Sequence, residues 1–318
     1  MTKITTYLSP NGQTTTRGAG PATRILVGTI EGVATLARET PAAPWKLIGR
    51  SLEDCHVGQL VYEAKSGKLF AGAHADGGLW VSDDGEGGSW RSLTNGLDRP
   101  HAYSMAARCQ SDDDVTLFLG TSPAALYRSA DLGECWTEVT SIHDVPNTDK
   151  WTFPPPPHIP HVKQILFHPT EPDTVYVLVE QGALLKSADD CRTFRELTGY
   201  ARDDVDEAYR DPHRMIIKQD EPDIFYLATG IGLYRSGDGG ESFDKLTSRG
   251  ERMGYPDMVF IDPDDGHTIY LGGSFLNPRD WYKTGIARSC IMRSTDEGRS
   301  WLTLDHGMPD PVVGAFQA

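Results

Sequence analysis

SGDGGESF, residues 236–243, is the stretch whose reading decides the fold, because the chain repeats it. Related runs stand at 82–90 (SDDGEGGSW), 129–136 (SADLGECW), 187–194 (SADDCRTF) and 294–301 (STDEGRSW). Serine and aspartate hydrogen-bond to nearby backbone, and glycine, found in four of the five, accepts a positive φ. Each run is therefore a tight turn. The aromatic that closes each turn (Trp90, Trp136, Phe194, Phe243 or Trp301) is expected to pack between neighbouring sheets, where its large apolar area counts most.

Working outward from 236–243, the preceding residues read HRMIIKQ, an E-P-D turn, IFYLAT, G-I-G and LYRS, and the turn leads into SFDKLT. The segment 161–197 has the same order. Short runs of Val, Ile, Tyr and Phe bounded by Gly, Pro or Asp are strands. Four strands per unit and a period of about 45–58 residues predict one closed repetitive all-β structure. A sixth, weaker unit is RILVGT (24–29), GVATL (32–36) and WKLI (45–48), with Trp45 as its aromatic. It lacks both the aspartate turn and a first strand, and the C-terminal run 312–318 (VVGAFQA) is expected to supply that strand. The expectation is a six-bladed β-propeller over residues 21–318, preceded by an N-terminal extension of residues 1–20; a seven-bladed propeller is the alternative.

Composition narrows the partners. The chain has 45 Asp and Glu against 30 Lys and Arg, a formal net charge of -15. Such a surface repels a phosphate backbone, which argues against nucleic acid as a partner. No apolar stretch has the length of a signal peptide or a membrane span, so no membrane partner is expected. The five cysteines (55, 109, 135, 191 and 290) form no tight C-x-x-C pair and read as reduced thiols of a cytoplasmic protein.

Four units open with a histidine. His56, His101, His161 and His213 are each followed four residues later by an apolar residue: Leu60, Met105, Ile165 and Ile217. The match predicts one structural position in four consecutive blades, at the mouth of a central channel. Converging neutral imidazoles suit Fe, Zn, Ni, Cu or Mn, whereas Ca or Mg calls for carboxylates. Tyr255 and Asp310 stand at the corresponding places of the remaining units and are candidate catalytic groups that orient water or substrate. His158, in PPPPHIPH, is a further catalytic candidate or an alternative ligand to His161. Carboxylates that could partner the imidazoles are Glu53, Asp54, Asp203, Asp204, Asp206, Glu207 and Asp211, close to the histidines in sequence, and Glu63 and Glu180, nearer the strands, and the sequence selects none of them. The insertions 142–160, 198–212 and 272–288 carry Trp151, Phe153, Tyr200, Tyr209, Trp281 and Tyr282, an apolar roof suited to a small organic substrate. Arg210 and Arg279 could hold an anionic group.

The aspartate turns resemble the Asp-box, or BNR, repeats of sialidase-like and related six- and seven-bladed propellers. The resemblance covers about residues 24–318 and implies boxes on the blade periphery, away from any active site. Sialidases carry an F/Y-R-I-P segment near the N-terminus; the nearest stretch here, ATRIL at 22–26, lacks the proline, and no tyrosine nucleophile is assigned. The repeats also resemble those of plant and bacterial photosystem assembly factors. The histidine set resembles the four-histidine iron centre of carotenoid-cleaving oxygenases in ligand type and placement, which implies His56, His101, His161 and His213 as metal ligands and favours iron. The functional expectation is a metal-dependent enzyme acting on a small organic substrate at the channel, with an iron-dependent oxygenase slightly favoured. A metal-dependent hydrolase or lyase and a noncatalytic binding or assembly scaffold are the alternatives.

Overall fold

A computed structural model describes residues 5–7, 21–99, 101–111, 114–200, 210–248, 250–262 and 265–314. Its strands form six four-stranded sheets, and the protein is an all-β, six-bladed β-propeller. The chain divides into two compact units, residues 1–142 with 164–166, and residues 143–163 with 167–318.

The first unit carries three sheets. They are β1 (Thr5–Tyr7), β2 (Arg24–Thr29), β3 (Gly32–Ala37) and β4 (Lys46–Ser51); β5 (Val57–Glu63), β6 (Lys68–Ala73), β7 (Leu79–Ser82) and β8 (Arg91–Leu93); and β9 (His101–Ser111), β10 (Asp114–Ser122), β11 (Leu126–Ser129) and β12 (Thr137–Glu138). The strand beside β2 is β1, which pairs with it in parallel. The C-terminal run expected in that place is described only to residue 314. Its Val312 and Val313 carbonyls accept from the Arg288 and Ala287 N–H groups in the second unit, at 3.1 and 3.0 Å.

The second unit carries β13 (His161–Phe167), except residues 164–166 which count with the first, then β14 (Val175–Glu180), β15 (Ala183–Ser187) and β16 (Arg195–Glu196); β17 (Pro212–Ile217), β18 (Phe225–Thr229), β19 (Gly232–Ser236) and β20 (Asp244–Lys245); and β21 (Tyr255–Ile261), β22 (Ile269–Ser274), β23 (Ser289–Ser294) and β24 (Leu302–Leu304). Between β22 and β23 lies a helix, α1 (Pro278–Thr284). Asn277 caps it by accepting from the Asp280 N–H, Pro278 opens it, and Gly285 ends it at φ 71.

All five aspartate turns close in the same way. The serine hydroxyl donates to the aspartate two residues on, at 2.6–2.9 Å for Ser82–Asp84, Ser129–Asp131, Ser187–Asp189, Ser236–Asp238 and Ser294–Asp296. The same carboxylate oxygen accepts a downstream N–H, from Glu86, Cys135, Thr193, Ser242 and Ser300 respectively. Trp136 packs with Phe70, Leu93 and Leu119, joining the second and third sheets. Trp90 joins Leu26 and Leu69, and Trp301 joins Tyr226 and Leu271. Fully burying a phenylalanine such as Phe70 contributes about 2–3 kcal/mol, so these seams are a main source of cohesion between neighbouring sheets.

The box serine gives the five sheets that carry it a common register mark. Ser82, Ser129, Ser236 and Ser294 face Leu69, Leu117, Phe225 and Ile269, which in turn face Tyr62, Ala107, Ile217 and Ile261 on the first strands. Four residues before those, each first strand bulges, at Gly58, Tyr103, His213 and Asp257. β13 keeps this register, because the His168 N–H bonds the Thr174 carbonyl as Lys218 bonds Ile224 and Asp262 bonds Thr268. Its bulge-position residue is therefore Lys163. Two residues earlier stand His56, His101, His161, Asp211 and Tyr255. The equivalence predicted for His213 is thus displaced by two residues: Asp211 is the counterpart of His161, and Met215, not Ile217, the counterpart of Ile165. Side chains alternate with period two along a strand, so a slip of two keeps every apolar residue on its face and leaves the sequence pattern intact.

Candidate functional site

The predicted histidines fall in both units, His56 and His101 in the first and His161 and His213 in the second. In the first unit, His56 and His101 flank a third imidazole, His74, at ring-centroid separations of 4.5 and 5.0 Å. His74 also stacks on Tyr103 at 4.6 Å, the rings 14° from parallel. It sits just beyond β6, and it finds room because residue 58 is glycine: a Cβ there would stand 2.3 Å from His74 Nε2. His56 is exposed, while His74 and His101 are half-buried.

The second unit gathers ionisable groups more tightly. His161 and Lys163, two apart on β13, lie on one face and converge on Glu180 at the end of β14. His161 Nε2 donates to Glu180 Oε2 at 2.7 Å, and Lys163 Nζ stands 2.8 Å from the same oxygen. Lys163 also faces Asp257 Oδ1 at 3.6 Å. On β17 and its approach, Asp211 Oδ2 is 3.2 Å from His213 Nε2. The other ring nitrogen of His213, Nδ1, donates to the Pro256 carbonyl at 2.7 Å. Asp211 lies over Gly230, where a Cβ would meet its Oδ2 at 2.4 Å. His161, Glu180, Asp211, His213, Arg214 and Asp257 are all buried, His213 to 1% exposure.

Charges removed from water must be compensated, and here they are. Three carboxylates (Glu180, Asp211 and Asp257) face Lys163, Arg214 and His213. Burial alone would lower the His213 pKa, but the carboxylates of Asp211 and Asp257 outweigh it and raise the imidazole to about 9. Burial would raise Glu180; Lys163 and the His161 hydrogen bond hold it well below the usual carboxylate range. Burial brings Arg214 down to about 10 against the opposing pull of Asp257. His213 Nε2 is held by Asp211 alone, and Asp257 Oδ1 makes no hydrogen bond. One ligand atom each from Glu180, Asp211 and His213 falls within 4.8 Å of the others, the one such group among the described residues.

Aromatic rings border this cluster. Phe153 meets His161 edge-on at 4.8 Å, Tyr255 lies 4.7 Å from the His213 ring, and Trp281 of α1 meets Tyr255 edge-on at 5.6 Å. Insertions 142–160 and 272–288 thus supply rings beside the cluster; residues 201–209 of the insertion 198–212, Tyr209 among them, lie outside the described residues.

Tyr255 therefore joins the cluster. His158 and Asp310 are exposed; His158 Nδ1 donates to the Phe153 carbonyl at 2.8 Å, and Asp310 lies in an irregular segment. His74, Lys163 and Asp257 were missed by a search restricted to matched histidines. Lys163 and Asp257 carry no sign in the sequence, because the register they share with His213 appears only in the strand pairing. For His74 the signal was the end of the second strand, the place Glu180 takes in its own sheet.

The architecture is that of known propellers. An ancestral GH74 enzyme superposes with a TM-score of 0.63 at 14% identity over 80% of this chain and 32% of that one, so this chain spans about a third of its length. YCF48 from Cyanidioschyzon merolae gives 0.60 at 14% identity over 94% and 85% of the two chains. YCF48 bound to D1 peptide gives 0.54 at 13% identity over 87% and 77%. At these identities the likeness establishes the fold. No protein-family model and no curated protein matches the chain. Among the described residues, no helix is long and apolar enough to cross a membrane.

Proposed function

We propose that the protein is an enzyme acting on a small organic substrate by hydrolysis or elimination, with His161, Lys163, Glu180, Asp211, His213 and Asp257 of the second unit as its working centre. The observation that carries this reading is a cluster of alternating acids and bases, buried together and set by one recurring backbone register. Even when paired, so many charged groups kept from water add little stability, and clusters of this kind gather at functional sites. Lys163 and His161 fix Glu180, Pro256 fixes His213, and Phe153, Tyr255 and Trp281 offer apolar contact to substrate. Such a centre can orient water and stabilise a developing negative charge. The expectation of iron and dioxygen chemistry rests on an all-histidine shell, and in the second unit His161 and His213 instead face Glu180 and Asp211.

The test is turnover of a panel of lactones, esters and carbohydrate derivatives by the untagged full chain. Wild type should turn over at least one class, and Asp211→Asn and Glu180→Gln should each lower kcat/KM by at least about 100-fold, a size usual for groups acting in the transition state, with folding checked by circular dichroism. Equal rates in wild type and both variants, or no turnover of any class, would defeat the reading.

One feature favours a noncatalytic binding platform instead. The outer strand β4 runs for 6 residues, where its counterparts have 2 or 3, and it exposes Leu47 and Ile48. An exposed strand of that length can accept an extended peptide as an added strand, and one YCF48 structure of the same fold was solved with a peptide bound. Saturable binding of extended peptides, abolished by Ile48→Pro in the absence of any turnover, would select this reading.

A further inference from the structure

We infer that Glu180, Asp211 and His213 bind one divalent first-row metal ion, Zn2+ or Mn2+ in kind. The inference builds on the reading above that this cluster is the working centre, and it names the cofactor held there. Neither the His56, His74 and His101 group nor any other set among the described residues places three ligand atoms so close together.

Three observations carry it. First, Asp211 Oδ2 and His213 Nε2 are 3.2 Å apart. Two ligands at about 2.0–2.2 Å from a tetrahedral or octahedral ion stand roughly 2.8–3.6 Å from one another, so this pair already has the separation of neighbouring ligands. Second, His213 presents Nε2 in the manner of a ligand. Its Nδ1 is committed to the Pro256 carbonyl at 2.7 Å, which fixes the ring and leaves the buried Nε2 facing the Asp211 carboxylate at 3.2 Å. A backbone carbonyl on the remote nitrogen is a common outer partner of a metal-bound imidazole. Third, the backbone makes room for the arrangement. Gly230 occupies the place that Glu180 holds in its own sheet, and only a residue without a Cβ lets the Asp211 carboxylate lie there.

The donor set points to the ion. One imidazole rules in the ions that accept nitrogen, and two carboxylates suit Zn2+ or Mn2+ better than a soft ion such as Cu(I). Lys163 and His161 both bond Glu180 Oε2, so ligation through Oε1 keeps both contacts. Lys163 then acts as a positioning residue for Glu180.

Calorimetric titration of the chelator-treated, untagged full chain with Zn2+ and with Mn2+ tests the inference, with Ca2+ as control. One ion per chain is expected from Zn2+ or Mn2+, with affinity at least about 100-fold weaker in Asp211→Asn and in Glu180→Gln and little changed in His101→Gln. Because buried substitutions can unfold a protein, Mn2+ spin-echo spectroscopy of the wild type gives a second readout and should show one coordinated imidazole nitrogen. The inference is overturned by no binding of either ion, by loss of binding in His101→Gln with retention in Asp211→Asn, or by coupling to several imidazoles. An ion bound as described without turnover of any substrate sustains the site and defeats the proposed activity; turnover that survives chelation does the reverse.

Discussion

Gly230 shows how much one missing side chain contributes. Its hydrogen occupies the place where a methyl group would meet the Asp211 carboxylate at 2.4 Å, while at Gly49, on β4, an added methyl would meet nothing within 4 Å. Gly230→Ala should therefore cost about 1–3 kcal/mol through overpacking, and Gly49→Ala should be neutral or gain about 0.4–1 kcal/mol by restricting the unfolded chain. Urea unfolding of both variants checks the pair, and equal effects would contradict the packing described. The same scale explains what could be read in advance. Asp211 is one of several carboxylates near the histidines in sequence and Glu180 one of two nearer the strands, but sequence position does not say which of them touch an imidazole. Lys163 and Asp257 carried no sign of their own, since a lone charged residue near a strand start is ordinarily a solvated one.

At the scale of the element, the aspartate turn was legible in full, because its chemistry is local: a serine, an aspartate and a few N–H groups within five residues. The first strand was legible in kind and not in register, because its place depends on pairing with a strand some ten residues away. The helix α1 is short enough to show no period, and its signal was the capping run Asn277-Pro278 alone. The turns also have a measurable acid response. Hydrogen bonds from serine or threonine side chains and backbone N–H groups hold Asp189, Asp238 and Asp296 at about 2, below the ordinary 3.8. A depressed carboxylate pKa stabilises the folded state fully above the ordinary value, and that contribution disappears as pH falls from about 4 towards 2. Thermal melts should show wild type losing Tm across that window, and Asp238→Asn should start lower at neutral pH and lose less. An identical acid slope in the variant would contradict this account of the turn.

The whole molecule carries 15 more acidic than basic side chains. Neighbouring sheets are also linked by surface ion pairs: Arg24 with Glu86, Arg91 with Glu134, Arg195 with Glu241, and Arg235 with Glu297. Salt weakens both the general repulsion and these bridges, but exposed bridges contribute only about 0–1 kcal/mol each. Repulsion should win, so Tm should rise between roughly 10 and 150 mM sodium chloride; a fall would show that the bridges dominate. The bulge shared by the first strands has a bearing on design. It acts as a standard socket: glycine, tyrosine, histidine and aspartate all occupy it on the same frame. A chain that already accepts such different occupants offers ready-made positions for grafting new chemistry, sheet by sheet, without redrawing the backbone that carries it.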